Sequence, residues 1–137
     1  MMLSSFVSLN MKIVRALSYA LALYASTAIL PAVAANASVV ILAGRVVGVA
    51  DGDTLTLLDA SHTRHKIRLQ GIDAPEKRQA FGTRSSQHLT RLTLGKQVKA
   101  HCGKRDRYGR SVCKIVADGN DVNLGQVVAG MAWWYRE

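Results

Sequence analysis

The chain has 137 residues, 49% of them apolar and 6% aromatic, with 18 Lys and Arg against 9 Asp and Glu, a formal charge of +9. That length holds one small domain rather than several, and two cysteines without paired histidines do not match a zinc-finger spacing. The charge points to a polyanionic partner, with nucleic acid ahead of an anionic membrane surface or wall polymer.

Lys12 and Arg15 precede an apolar stretch over residues 16–30, followed by Ala32-Val-Ala34 and Ala35-Asn-Ala37. A positive start, a short apolar middle and A-x-A sites describe a secretory signal over residues 1–37, cut after residue 34 to 37. Met11 opens a more typical signal than Met1. The apolar run is shorter than the ~20 residues a membrane span needs, so no stable membrane insertion is expected after cleavage. The expected location is periplasmic or secreted. Setting aside Lys12 and Arg15 leaves 16 basic residues against 9 acids, a formal +7.

Residues 39–49 are rich in Val and Ile and predict a strand, with Gly44 and Gly48 as bend or bulge points. Asp51-Gly52 predicts a tight turn. Residues 54–58 alternate and predict a second strand, 61–64 a turn, and 65–69 a third strand with Ile67 and Leu69 on one side. Residues 71–82 read as loop, because Pro75, Gly82 and charges interrupt every period. Residues 83–94 predict a helix: Ser85, Leu89 and Leu92 share a face, Arg84, His88 and Arg91 point to water, and Gly95 ends it. Residues 97–102 and 111–117 alternate as a strand pair, and Asp118-Gly119 turns the chain. Asp121 caps a helix from 122 to about 130, with Val122, Val127 and Val128 among its apolar positions. Five short strands with inserted helices predict a mainly β domain over residues 38–137, a small closed barrel of the oligonucleotide-binding kind. Cys102 and Cys113 flank the turn-rich Asp106-Arg-Tyr-Gly109. In an oxidising compartment they either pair across a hairpin or stay two thiols.

Asp53 follows a turn at a strand start, and Asp73 and Glu76 lie three apart in a loop stiffened by Pro75. Carboxylate oxygens suit a hard divalent cation, although an Asp-Gly-Asp run alone more often just favours a turn. Arg68 and Arg110 can each grip two phosphate oxygens at any working pH. Such groups stabilise the charge that builds around phosphorus in a transition state; singly, each reads as one surface cation among many. His62, His65, His88 and His101 show no paired spacing and read as surface or strand residues. Tyr108 either stacks on substrate or buttresses a hairpin. Trp133, Trp134 and Tyr135 either stack on bases, at ~1–3 kcal/mol each, or pack into the core or against a C-terminal helix of the kind such a domain carries, which is the default expectation.

Taken in order, Asp51-Gly-Asp-Thr54, Ile67-Arg-Leu-Gln-Gly-Ile-Asp-Ala-Pro-Glu76, Asp106-Arg-Tyr-Gly-Arg110 and Ala117-Asp-Gly-x-x-Val-Asn123 resemble the staphylococcal nuclease (thermonuclease) family. The likeness runs from about Val39 to Ala132. It implies a five-stranded OB-fold barrel and an exported, calcium-dependent endonuclease, a hydrolase of phosphodiester bonds in DNA and RNA with little sequence preference. The implied enzyme is a monomer acting on single-stranded or locally melted substrate and leaving 3′-phosphates. The resemblance puts Ca2+ on Asp53, Asp73 and the backbone carbonyl of Ala74. It makes Glu76 the residue that positions or deprotonates the attacking water, Arg68 the holder of the scissile phosphate, and Arg110 its partner near the departing oxygen. Tyr108, Trp134 and Tyr135 are candidate substrate contacts. Ala74 stands where a threonine is common. The chain also stops at Glu137, short of the loop and C-terminal helix that family members usually add, so a C-terminally short domain is expected. Two other readings are a non-catalytic OB-fold nucleic-acid binder and an inactive truncated fragment; retention of all five charged residues favours catalysis.

Overall fold

The computed structural model describes residues 38–136. The expected leader over residues 1–37 lies outside them.

Strands β1 (Val40–Val49), β2 (Thr54–Asp59) and β3 (Arg64–Leu69) form an antiparallel meander. Their alternation sends Val46, Leu55, Leu57, Ile67 and Leu69 inward, each essentially without solvent contact. Burial of each such side chain contributes about 1.5–3 kcal/mol. A register shift between Val46 and Gly48 bulges β1 and bends it around the core. Gly44 lies where β1 crosses β2 so closely that a Cβ would stand 2.3 Å from the carbonyl oxygen of Leu58. The β2–β3 turn is built on Asp59, whose Oδ1 accepts from the amides of Ser61 (2.8 Å) and Thr63 (2.9 Å).

Strands β5 (Gln97–Arg105) and β6 (Ser111–Ala117) extend the sheet from β1, and β6 pairs back on β3 in parallel. The order β3-β2-β1-β5-β6 therefore closes into the expected five-stranded barrel. β5 runs three residues beyond its predicted end, past a second register shift between Cys102 and Lys104. Cys102 and Cys113 are register partners with Cα atoms 4.1 Å apart, and they are bonded to each other.

Helix α1 (Gly82–Thr93) precedes β5, and Ser85, Leu89 and Thr93 lie on its buried face. Its last turn gives way at Gly95, whose φ of 78° suits glycine and whose amide donates to Val46 O at 2.9 Å. Helix α2 (Val122–Val128) is capped by Asp121, which accepts from the Leu124 amide. It ends two residues before its predicted terminus. Val122 is buried and Val127 half-buried against the core, as expected, whereas Val128 is 79% exposed, and Asn123 and Gln126 join the inward face. Beside these valines, Asn123 donates to Gln70 O and Cys113 O, and Gln126 to Gly52 O and Ser85 O, so amides fill the part of the face that meets backbone carbonyls. His88 departs from expectation because it meets one of these amides. It is half-buried, with Nδ1 against Gln126 Oε1, instead of pointing to water.

Three two-residue strands complete the chain. β7 (Asn120–Asp121) extends β6, while β4 (Ile72–Asp73) pairs antiparallel with β8 (Trp133–Trp134) in a separate small sheet. β4 falls inside the stretch expected to be loop. Among the described residues, no helix is long and apolar enough to cross a membrane.

Candidate active site

Asp53 sits in the turn between β1 and β2. Its amide donates to Asp51 Oδ1 (3.1 Å), and its carbonyl accepts from Leu69 N (2.8 Å), which ties the turn to the end of β3. The side chain is 8% exposed. Oδ1 accepts from the Thr54 hydroxyl at 3.0 Å, and Oδ2 accepts from the Ala74 amide at 2.8 Å while also touching Arg68 Nη1. Arg68 Nη2 donates to Asp73 Oδ1 at 2.7 Å. One guanidinium thus spans two carboxylates delivered by different turns. Burial holds the Asp53 carboxyl above its ordinary pKa, against the pull of Arg68, and the Asp51 carboxylate adds to the rise. Burial works against the charge of Arg68 as well, but Asp53 and Asp73 keep its pKa above the usual value.

Asp73 is placed by β4, where it pairs with Trp133 of β8. Ala74 is buried, and its amide bond to Asp53 brings that short segment beside the first turn. Asp53, Asp73 and Ala74 are therefore neighbours, although the first two are twenty residues apart in sequence.

Arg110 closes the β5–β6 hairpin, whose tip wraps the carboxylate of Asp106. Asp106 Oδ1 accepts from the amides of Tyr108 (2.9 Å) and Arg110 (3.0 Å), and Oδ2 accepts from Arg110 Nε (2.7 Å). Slight burial opposes the Asp106 charge, but these bonds, led by that from the Arg110 side chain, hold its pKa below the ordinary range. Arg110 Nη1 donates to Thr54 Oγ1 at 3.2 Å. The Thr54 hydroxyl therefore accepts from Arg110 and donates to Asp53, and joins the second arginine to the acid pair. Tyr108 lies against two guanidinium groups, with Arg107 at 4.9 Å and Arg110 at 5.3 Å from its ring centre, yet it is 67% exposed. It braces the hairpin tip and stays largely exposed.

Glu76 is exposed. With Asp51, Lys66, Tyr108 and Arg110 it lines a cavity of about 410 Å³. A second cavity of about 540 Å³ shares Tyr108 and Arg110, and includes Arg68, Asp73 and Tyr135. The Glu76 loop is held by Gln79, whose Oε1 accepts from the Glu76 amide and whose own amide returns to Glu76 O, both at 2.8 Å. Gly82 is required beneath it, since a Cβ there would lie 2.0 Å from Glu76 O. Among the described residues no group of three or more acids, histidines or cysteines is gathered as a ready metal cage. The structure brings together two of the three acids, with Arg68 between them.

Trp133, Trp134 and Tyr135 do not pack into the core. All three are exposed, because β8 forms the edge of a two-stranded sheet that no layer of the described residues covers. Tyr135 lines the larger cavity and its amide donates to Gly71 O at 2.9 Å; Trp134 lines neither cavity.

Two residues of the site were not legible as such. Thr54 carries a signal only in hindsight, as the hydroxyl directly after Asp53. Gln126 is fully buried, and its Nε2 donates to Gly52 O at 2.6 Å and to Ser85 O at 3.3 Å. Gly52 is packed so tightly there that a Cβ would stand 1.8 Å from Ser85 Oγ.

The profile of the family described as staphylococcal nuclease homologue matches residues 66–137. The chain is 43% identical over 93 residues to a Haemophilus influenzae protein named uncharacterized endonuclease, covering 68% of this chain and 52% of that one. It is 46% identical over 95 residues to an Escherichia coli protein of the same name, covering 69% and 61%. It is 39% identical over 102 residues to the micrococcal nuclease of Shigella flexneri, covering 68% and 58%. The chain therefore spans between half and two thirds of the length of these relatives. With the closed barrel and the order of the charged motifs, these likenesses show that the chain belongs to the staphylococcal nuclease family.

Proposed function

We propose that this chain is an exported, calcium-dependent nuclease that hydrolyses phosphodiester bonds in DNA and RNA. The observation that carries the reading is Arg68 spanning Asp53 and Asp73, with Arg110 tied to the same Asp53 through Thr54. A single cationic group set between two carboxylates marks a place where positive charge is stable, and both carboxylates are hard oxygen donors. Asp53, Asp73 and the carbonyl of Ala74 would hold Ca2+ there. Such an ion lowers the pKa of bound water and neutralises phosphate charge.

The remaining roles fall to side chains. Arg68 turns from the carboxylates to a substrate phosphate, which offers its fork a replacement pair of oxygens. Arg110 takes another oxygen of the same phosphate, its Nε held by Asp106 and its Nη1 free to leave Thr54. Both arginines meet the charge that grows in the transition state. Glu76, which lines a cavity with Arg110, orients the attacking water or takes its proton. Tyr108 and Tyr135 flank the groove, where exposed rings can stack on bases. Nothing in this arrangement reads base edges, so little sequence preference is expected, and unpaired strands fit the open cavities. The leader over residues 1–37 and the Cys102–Cys113 bond support an oxidising destination outside the cytoplasm. A monomer suffices for all of these roles.

Purified protein incubated with heat-denatured DNA, with Ca2+ or with a chelator, tests the proposal. Calcium-dependent shortening is expected, and Glu76→Gln should lower kcat by roughly 100-fold or more while leaving Ca2+ binding in place. A salt-sensitive gel shift without cleavage would instead mark a non-catalytic binder.

A further inference from the structure

Arg64, Lys66 and Arg68 occupy alternate positions of β3 and project from its outer face, opposite the buried Ile67 and Leu69. Arg68 pairs with Asp53 and Asp73 and is the proposed holder of the reacting phosphate. Lys66 is exposed, and among the described residues its ammonium makes no ion pair with a carboxylate. It nevertheless stands in the cavity that holds Glu76, Asp51 and Arg110. Arg110 is bonded to Asp106, so Lys66 is the further cation that offsets Asp51 and Glu76 as a polyanion approaches.

Arg110 and Tyr108 form the wall shared by that cavity and the larger one containing Arg68. A strand whose reacting phosphate rests on both arginines therefore continues into the Lys66 cavity. Alternate residues of a strand are roughly 6.7 Å apart, a step that neighbouring phosphates of one nucleic-acid strand can span. We propose that Lys66 binds the phosphate adjacent to the reacting one, so that the outer face of β3 measures two consecutive phosphates of a single strand. This inference rests on the nuclease reading and adds a subsite to it.

The test compares Lys66→Gln with wild type on two substrates: a single-stranded oligonucleotide, and a nucleoside nitrophenyl phosphodiester bearing one phosphate. On the oligonucleotide KM should rise about five- to tenfold with kcat within twofold, and the salt dependence of kcat/KM should flatten by about 0.7 in log–log slope. On the single-phosphate substrate KM should move less than twofold. Arg64→Gln, outside both cavities, is the control for loss of one surface charge. Equal loss on both substrates, or an unchanged KM and salt slope on the oligonucleotide, overturns the subsite. If wild type cleaves neither substrate, the nuclease reading fails. Equilibrium binding of the oligonucleotide in chelator then still decides Lys66, because its substitution must weaken binding five- to tenfold and flatten the salt slope.

Discussion

Replacing Gln126 by leucine removes the amide that fixes the turn carrying Asp53. Leucine has a similar volume, so the polar loss dominates the packing change. Gly52 O loses a 2.6 Å donor in a fully buried setting, and His88 loses its partner at Oε1. A buried polar group stripped of its partner costs ~1–3 kcal/mol, and the half-buried His88 falls near the lower end because water can reach it. The expected total is roughly 2–4 kcal/mol, a large share of the ~5–15 kcal/mol that holds a domain of this kind. Because Gly52 packs directly on Ser85, the turn relaxes by moving Asp53. Urea unfolding in chelator, followed by circular dichroism and tryptophan fluorescence, reads the stability. A Ca2+ titration of the folded variant reads the site, where weaker binding is expected. The double variant Gln126→Leu with His88→Phe removes one of the two orphaned groups and should recover ~1 kcal/mol. A stability loss below about 1 kcal/mol for the single variant, or unchanged Ca2+ affinity, would refute the reasoning.

Three further outcomes follow from the same structure. Asp53 has a raised pKa, so its stabilising share is complete at low pH, where it is protonated, and is lost as pH rises through the folded value. Asp53→Asn should therefore raise the melting temperature at neutral pH in chelator while ending calcium-dependent cleavage; a lower melting temperature would contradict the burial argument. The pKa of Asp59 is depressed, first by its bond to His65 and then by the Thr63 amide, so its contribution is present above 3.8 and disappears as pH falls through the folded value. Asp59→Asn should melt lower at pH 7 with the gap closing in acid, and a gap independent of pH would remove Asp59 from the account. The Cys102–Cys113 bond closes a short loop, so replacing both residues by serine should cost about 2–3 kcal/mol in urea unfolding; an unmoved midpoint would show that the hairpin holds without it.

The barrel was legible where period-two alternation ran between clear turn pairs, as in residues 54–58 and 65–69. It failed where hydrogen bonding rather than hydrophobicity sets the element. β5 continues through Lys104 and Arg105, which show no alternation, and a two-residue strand such as β4 or β8 has no period to read. The letters of the site were legible through the order of its motifs. Their arrangement was not, because Arg68 meets Asp53 only when β2 and β3 pair and the barrel closes. Glu76 lines a cavity with Arg110 because Gln79 and Gly82 shape its loop, and that stretch carries no periodic signal. The aromatic tail stays out of the core for a simpler reason: among the described residues β8 pairs with β4 alone.

The same physical choice recurs beneath the site. Three polar side chains replace what could have been apolar core, and each takes a backbone carbonyl next to a residue of the site. Gln126 holds Gly52 O, one residue before Asp53; Asn123 holds Gln70 O, between Arg68 and Asp73; and Ser85 holds Met131 O, which leads into the strand paired with Asp73. Fully satisfied buried networks of this sort restrict geometry more than they add stability. Apolar replacements would pack as well but leave those carbonyls without donors and their turns free to drift. Catalytic groups must be held to within about 0.5 Å of the productive arrangement, and turns alone do not hold that tolerance. The polar layer under α1 and α2 is therefore the part of the fold that converts a generic barrel into a positioned set of charges.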